Sequence, residues 1–179
     1  MITHFFSDLD DTLAHRVKPE GENNSVEVGN GFYVTRENLE KLRELRRAGL
    51  KFGLVTTRRF STARLALNAV PHDYAVVDHG TIILIGDEPD SEWLETLRPY
   101  IGDPVRREKK GSLWDYEQQL RSELGREGFE IYSDERFGSF RVVPPRPVTR
   151  QGLERLLQIT PPQGIDAIIV LESVDFFPS

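Results

Sequence analysis

The sequence predicts an α/β fold with a parallel sheet, into which a smaller α+β lobe is inserted. Three observations predict it. A short apolar run at His4-Phe5-Phe6-Ser7 ends in Asp8, Asp10 and Asp11, and it is short enough to be a buried strand. A second such run, Lys51–Val55, ends in Thr56-Thr57-Arg58-Arg59, with a helical pattern between the two. A strand, a helix and a strand in this order are joined by a right-handed crossover, so the strands run parallel. Their carboxyl ends then share one edge of the sheet, where open α/β folds bind ligands. From 82 to about 145 the pattern changes to two helices and short strands, the order of an antiparallel sheet covered on one side.

Each element has its own signal. The polar stretch from Ala14 to Tyr33 reads as a loop with a short hairpin around Val26–Val28 and Phe32–Val34. A long loop directly after such a strand suits a flap over a site. Thr35 is a helix N-cap, Leu39, Leu42 and Leu45 share a face, and Gly49 ends the helix. Ser61–Asn68 reads as a helix and Ala75–Val77 as a third parallel strand, leading to Asp78-His79-Gly80-Thr81. In the inserted lobe, Ile82–Ile85 is strand-like, and helices are expected over Ser91–Arg98 and from a Ser112 cap onward. Phe129–Tyr132 and Ser139–Val143 are strands joined by a turn. Pro144-Pro145-Arg146-Pro147 reads as a stiff linker returning to the core. Thr149 then caps a helix carrying Leu153, Leu156 and Leu157, and Ala167–Leu171 is a final buried strand ending in Glu172 and Asp175.

The chemistry gathers at the first strand. Three carboxylates crowded at the end of a buried strand repel one another and resist desolvation, so they call for a cation. Hard oxygen donors of this kind suit Mg2+. A solvated turn using acids for turn geometry is the plainer alternative. Asp8 and Asp10 fall on one side of an extended strand, because side chains repeat every second residue.

The pattern Asp8-x-Asp10-x-Thr12 resembles the first motif of the haloacid dehalogenase (HAD) superfamily. The resemblance implies a Rossmann-like three-layer core with a parallel sheet. It also implies that Asp8 attacks a phosphoryl group, while Asp10 protonates the leaving alcohol and then activates water. The Thr/Arg cluster resembles the second motif, whose hydroxyl holds phosphoryl oxygens. Thr57 is the match by analogy with a Thr-Gly-Arg ending, Thr56 is its alternative, and Arg59 lies in the same cluster. Asp78-His79-Gly80 resembles the point where sugar-phosphatase branches leave the core for an α/β cap, which places His79 near substrate; a turn histidine is the equal alternative. Arg150 stands where the third motif usually has Lys, with Arg146 as runner-up. Glu172 and Asp175 stand in for the fourth motif and, with Asp8 and Asp10, would hold Mg2+. The core is then 1–81 and 146–179, and the cap 82–145. The branches resembled include sucrose-phosphate, trehalose-phosphate and mannosyl-phosphoglycerate phosphatases.

The implied activity is Mg2+-dependent hydrolysis of a small phosphorylated metabolite. The alternatives are a catalytically weak module binding a phosphorylated ligand or a protein, or a mutase or dehalogenase sharing the nucleophile. Composition narrows the field further. A net charge of −6 argues against a general nucleic-acid binder, which needs a basic surface. The chain has no cysteine, no run of membrane-spanning length and no signal-peptide pattern at Met1-Ile2-Thr3-His4, so a cytoplasmic location is expected. The basic run 106–110 reads as a solvated loop, and Trp93 and Trp114 as core.

Overall fold

Strand β1 (His4–Asp8) pairs in parallel with β4 (Lys51–Val55), and β4 pairs in parallel with β5 (Tyr74–Val77). The computed structural model describes residues 2–18, 24–133, 137–170 and 173–178. Its chain divides into two compact units, Met1–Ser91 and Glu92–Ser179.

In the first unit, β2 (Ser25–Glu27) and β3 (Tyr33–Thr35) form the expected hairpin. Helix α1 (Arg36–Arg47) follows, and Thr35 caps it by accepting from the Asn38 N–H at 3.1 Å. Leu39 and Leu42 are buried, which stabilises the helix by roughly 1.5–3 kcal/mol each. Leu45 is 40% exposed, so the inner face is narrower than the sequence pattern suggests. Gly49 adopts φ +89° just beyond the helix, where a side chain would be strained. Helix α2 (Phe60–Ala69) starts after Arg59 rather than at Ser61.

Phe52, Leu54, Ala75 and Val77 of the sheet share one buried cluster with residues of α1 and α2. Both helices therefore cover one face, as two successive right-handed crossovers in the same direction require. The opposite face carries Phe6, which lies over Gly53, and Ile85; each is more than half exposed. Strands β6 (Ile82–Ile85) and β7 (Glu88–Pro89) extend this sheet in antiparallel fashion, giving the order β1-β4-β5-β6-β7. The sequence reading assigned Ile82–Ile85 to the inserted lobe. Ala75 pairs with Leu84 across β5 and β6 and buries the same face, so β6 belongs with the core.

In the second unit, helix α3 (Ser91–Ile101) precedes a small hairpin of β8 (Gly102–Asp103) and β9 (Glu108–Lys109). Helix α4 (Ser112–Leu124) has Gly111 rather than Ser112 at its N-cap. Strands β10 (Glu130–Tyr132) and β11 (Phe140–Val143) pair antiparallel, and Thr149 caps helix α5 (Arg150–Leu157) by accepting from the Gly152 N–H. Strand β12 (Ile165–Val170) does not join the parallel sheet. It pairs antiparallel with β13 (Ser173–Pro178), and β13 also pairs with β11, giving the order β10-β11-β13-β12. Strands β12 and β13 thus complete the second unit's sheet instead of returning to the core. The physical reason is packing: Phe176 stacks on Phe140 at 5.0 Å, and Tyr116 of α4 meets its edge at 5.6 Å. Trp114 is buried and donates its indole N–H to the Ile101 carbonyl at 2.8 Å; like Trp93, which packs against the same cluster, it is core.

Candidate active site

The carboxyl ends of β1, β4 and β5 come to one edge of the first sheet, because the three strands are parallel and adjacent. Asp8 is the last residue of β1 and its side chain is exposed. The chain then turns tightly. The Leu9 N–H donates to the Val55 carbonyl at 3.0 Å, and the Ala14 N–H donates back to the Leu9 carbonyl at 2.8 Å. Asp11 takes φ +60°, a conformation tolerable for Asp because its short polar side chain suits left-handed turns. Asp10 therefore sits in a turn, not on the extended strand that the sequence reading assumed. Thr12, in the same turn, is exposed. Beyond it, His15 and Tyr33 exchange backbone hydrogen bonds of 3.0 and 2.9 Å, which ties the loop to the β2–β3 hairpin.

Strand β4 delivers the second group. Its ladder continues one residue, with the Thr56 N–H donating to the Val76 carbonyl at 2.9 Å. Thr56 is buried, and its hydroxyl lies 3.5 Å from Asp10 Oδ2 while accepting the Arg58 N–H at 3.2 Å. Thr57 points the other way, as alternation requires, and is exposed. The hydroxyl that meets Asp10 is thus that of Thr56, the alternative in the sequence reading.

Arg58 is the residue that the sequence reading passed over. Its side chain donates from Nε to Asp10 Oδ2 at 3.0 Å and from Nη2 to Oδ1 at 2.5 Å, a bidentate pair. Its Nη1 donates to the Val28 carbonyl at 2.5 Å, and the guanidinium lies 5.2 Å from the Phe32 ring centroid. Arg58 is only 7% exposed, so every donor counts, because a charge this buried must be paired. The signal was available: Thr56 and Arg58 are two apart in an extended stretch and so share a side.

At the end of β5 the Asp78 N–H donates to the Arg58 carbonyl at 2.7 Å, joining the two strand ends. Asp78 and His79 both lie at positive φ, 51° and 57°, each at a cost of about 1 kcal/mol or more. Asp78 is fully buried, and its carbonyl accepts the Thr81 hydroxyl at 2.7 Å. His79 is exposed at this same strand end. Arg59 occupies the N-cap position of α2.

Asp8, Asp10, Thr56 and Arg58 thus assemble at one edge, with Thr12, Thr57, Arg59 and His79 on the loops around them. The remaining candidates belong to the second unit. Arg150 opens α5, is largely exposed and pairs with Glu154 at 2.8 Å, one turn on. Asp175 sits on β13, where Arg141 donates to its two oxygens at 2.6 and 2.8 Å. That pair raises the Arg141 pKa above its ordinary value, against the opposing effect of burial. Asp175 is engaged by an arginine in an antiparallel sheet, and this corrects its reading as a metal ligand at a parallel strand's end. Glu172 lies outside the described residues. Among the described residues, no group of three or more His, Cys, Asp or Glu side chains could hold a metal ion. No described helix is long and apolar enough to cross a membrane.

No family model matches the sequence, and no curated protein matches it either. Solved structures do resemble it. The sucrose-phosphatase from Synechocystis, in complex with sucrose and phosphate, is 18% identical with a TM-score of 0.52, covering 99% of this chain and 65% of its own. A HAD-superfamily phosphatase from Bacteroides thetaiotaomicron is 13% identical with a TM-score of 0.55, covering 100% of this chain and 68% of its own. The trehalose-6-phosphate phosphatase from Aspergillus fumigatus is 12% identical with a TM-score of 0.62, covering 98% of this chain and 60% of its own. This chain therefore spans about 60–68% of the length of these three structures. At these identities the likeness is one of fold. The chain has the fold of the haloacid dehalogenase superfamily phosphatases.

Proposed function

We propose that the protein is a phosphomonoester hydrolase acting on a small phosphorylated metabolite through an aspartyl-phosphate at Asp8. The observation that carries the reading is the exposed Asp8 carboxylate at the end of a parallel strand, with the Asp10–Thr56–Arg58 cluster beside it. An exposed carboxylate at a strand end suits in-line attack on phosphorus, and phosphoryl transfer depends mainly on positioning and charge neutralisation. In the first step an Asp8 oxygen bonds to phosphorus, the ester P–O bond breaks, and Asp10 gives its proton to the departing alkoxide. In the second, water attacks phosphorus, Asp10 takes the water's proton, and the bond to Asp8 breaks to release phosphate. The Thr56 hydroxyl donates to a phosphoryl oxygen.

The donor chemistry fits Mg2+, which takes one or two carboxylates and fills its shell with water and phosphate oxygens. Asp8 and the main-chain carbonyl of Asp10 would hold it, and when bound it neutralises charge on the phosphoryl oxygens. A sugar phosphate is the favoured substrate class, since the sucrose- and trehalose-6-phosphate phosphatases share the fold. The test is phosphate release from sugar phosphates and p-nitrophenyl phosphate, with Mg2+ or EDTA, by the wild-type protein and Asp8→Asn. Metal-dependent release that vanishes in Asp8→Asn is expected. Release that persists in the variant, free of contaminating phosphatase, refutes the nucleophile.

A further inference from the structure

Arg58 joins three things that the mechanism above treats separately: the proton-transfer group, the strand end and the hairpin. Its Nε and Nη2 occupy both oxygens of Asp10, its Nη1 holds the Val28 carbonyl next to β2, and its guanidinium carbon lies 5.2 Å from the ring centre of Phe32 at the foot of β3. Its own backbone is pinned on both sides, by Thr56 Oγ1 to its N–H and by the Asp78 N–H to its carbonyl. A side chain so fixed costs little further entropy when it holds a partner, and a planar fork fixes a carboxylate's orientation as a lysine's single point of charge does not.

We infer that Arg58 is a positioning residue that holds Asp10 as the base for the second half-reaction, and that it couples this role to the seating of the β2–β3 hairpin. The inference rests on the phosphatase reading and adds to it. With both Asp10 oxygens accepting from Arg58, the fork sets the plane in which the Asp10 side chain meets the attacking water. The bidentate geometry fixes where the remaining lone pairs point. Loss of the fork should therefore slow hydrolysis of the aspartyl-phosphate much more than its formation, above all with an ester whose leaving group departs without a proton. Phe32 acts on the same group from the hairpin side, so removing its ring should loosen Arg58 and give a weaker form of the same defect.

Rapid mixing of the full chain with p-nitrophenyl phosphate and Mg2+ reads both half-reactions. Arg58→Lys is expected to keep a burst of p-nitrophenolate stoichiometric with enzyme, followed by turnover slowed roughly 10- to 100-fold, within the range for a mispositioned acid–base group. Phe32→Leu is expected to show the same pattern with a smaller loss. Guanidinium ion added to Arg58→Ala should restore turnover in part. The double variant Asp10→Asn/Arg58→Lys should be no slower than Asp10→Asn alone, because the arginine acts through Asp10. Circular dichroism and melting temperature identify variants that fail to fold; if Arg58→Lys is among them, the Phe32→Leu burst decides. If burst and turnover fall together in folded variants, or the double variant is slower than Asp10→Asn, Arg58 has a different role and the inference is overturned. If the wild-type protein releases no nitrophenolate, the phosphatase reading itself fails, and the inference falls with it.

Discussion

Asp73 offers a sharp test of how the first unit is held together. It precedes β5 and accepts from Arg46 Nε and Nη2 at 3.0 and 3.1 Å, from Lys51 Nζ at 3.3 Å and from the Phe52 N–H at 3.0 Å. One carboxylate thus ties the end of α1 to the starts of β4 and β5, whose far ends carry the candidate site. Burial by itself raises its pKa, but the Arg46 guanidinium, the Phe52 N–H and Lys51 outweigh that effect and hold it at about 2, against an ordinary 3.8. At 1.36 kcal/mol per unit, the difference corresponds to about 2 kcal/mol of stability. Lys51 is half exposed and its share is screened by water, so that figure is an upper value. The sign follows from the lowered pKa. The contribution is complete above about pH 4 and is lost as pH falls through about 2. Asp73→Asn should lower the urea midpoint at pH 7 by up to ~1 M, and the gap from wild type should close between pH 4 and pH 2. Far-UV circular dichroism is the appropriate probe. Both tryptophans, Trp93 and Trp114, belong to the second unit, so indole fluorescence reports on the wrong half. A variant as stable as wild type at pH 7, or one whose deficit persists undiminished at pH 2, would refute the reasoning.

Two further outcomes follow from the site and the sheet. Thr56→Val should lower kcat by about 100-fold through loss of a phosphoryl-oxygen donor, while Thr57→Val has little effect; steady-state kinetics of the two side by side decide which hydroxyl works. Gly53→Ala should destabilise by about 1–2 kcal/mol, because the new methyl would come 2.0 Å from the Phe6 ring. Adding Phe6→Ala to it should recover most of that loss, which thermal melts of the single and double variants measure.

The first unit was largely legible from local signals. The apolar run at Phe5-Phe6, the Thr35 cap and the strand–helix–strand order all act over a few residues, and handedness then fixes the sheet edge. The Arg58–Asp10 pair was less so, since it joins residues 48 apart and depends on a turn, not a strand, at Asp10. The last third misled for a definite reason. An apolar run such as Ala167–Leu171 reads alike as a parallel core strand or as part of an antiparallel sheet, and periodicity cannot separate them. What decides is the partner, and the partner β13 was hidden in Val174-Asp175-Phe176-Phe177, read only for its acid. An acid at a strand's end waiting for Mg2+ and an acid within a strand facing Arg141 look identical in sequence, yet they make opposite predictions. As an ion pair, Asp175→Asn leaves the Arg141 charge uncompensated beside a carboxamide. This should cost about 1–3 kcal/mol, less than a fully buried pair because Arg141 is about a third exposed. Here indole fluorescence is the right probe, since Trp93 and Trp114 share that unit. As a metal ligand, the same change would raise the Mg2+ concentration needed for half-maximal phosphate release and leave unfolding little altered. The structure predicts the first pattern: a lowered urea midpoint by fluorescence with an unchanged Mg2+ requirement. The reverse pattern would return Asp175 to the metal and refute the Arg141–Asp175 pair as its partner.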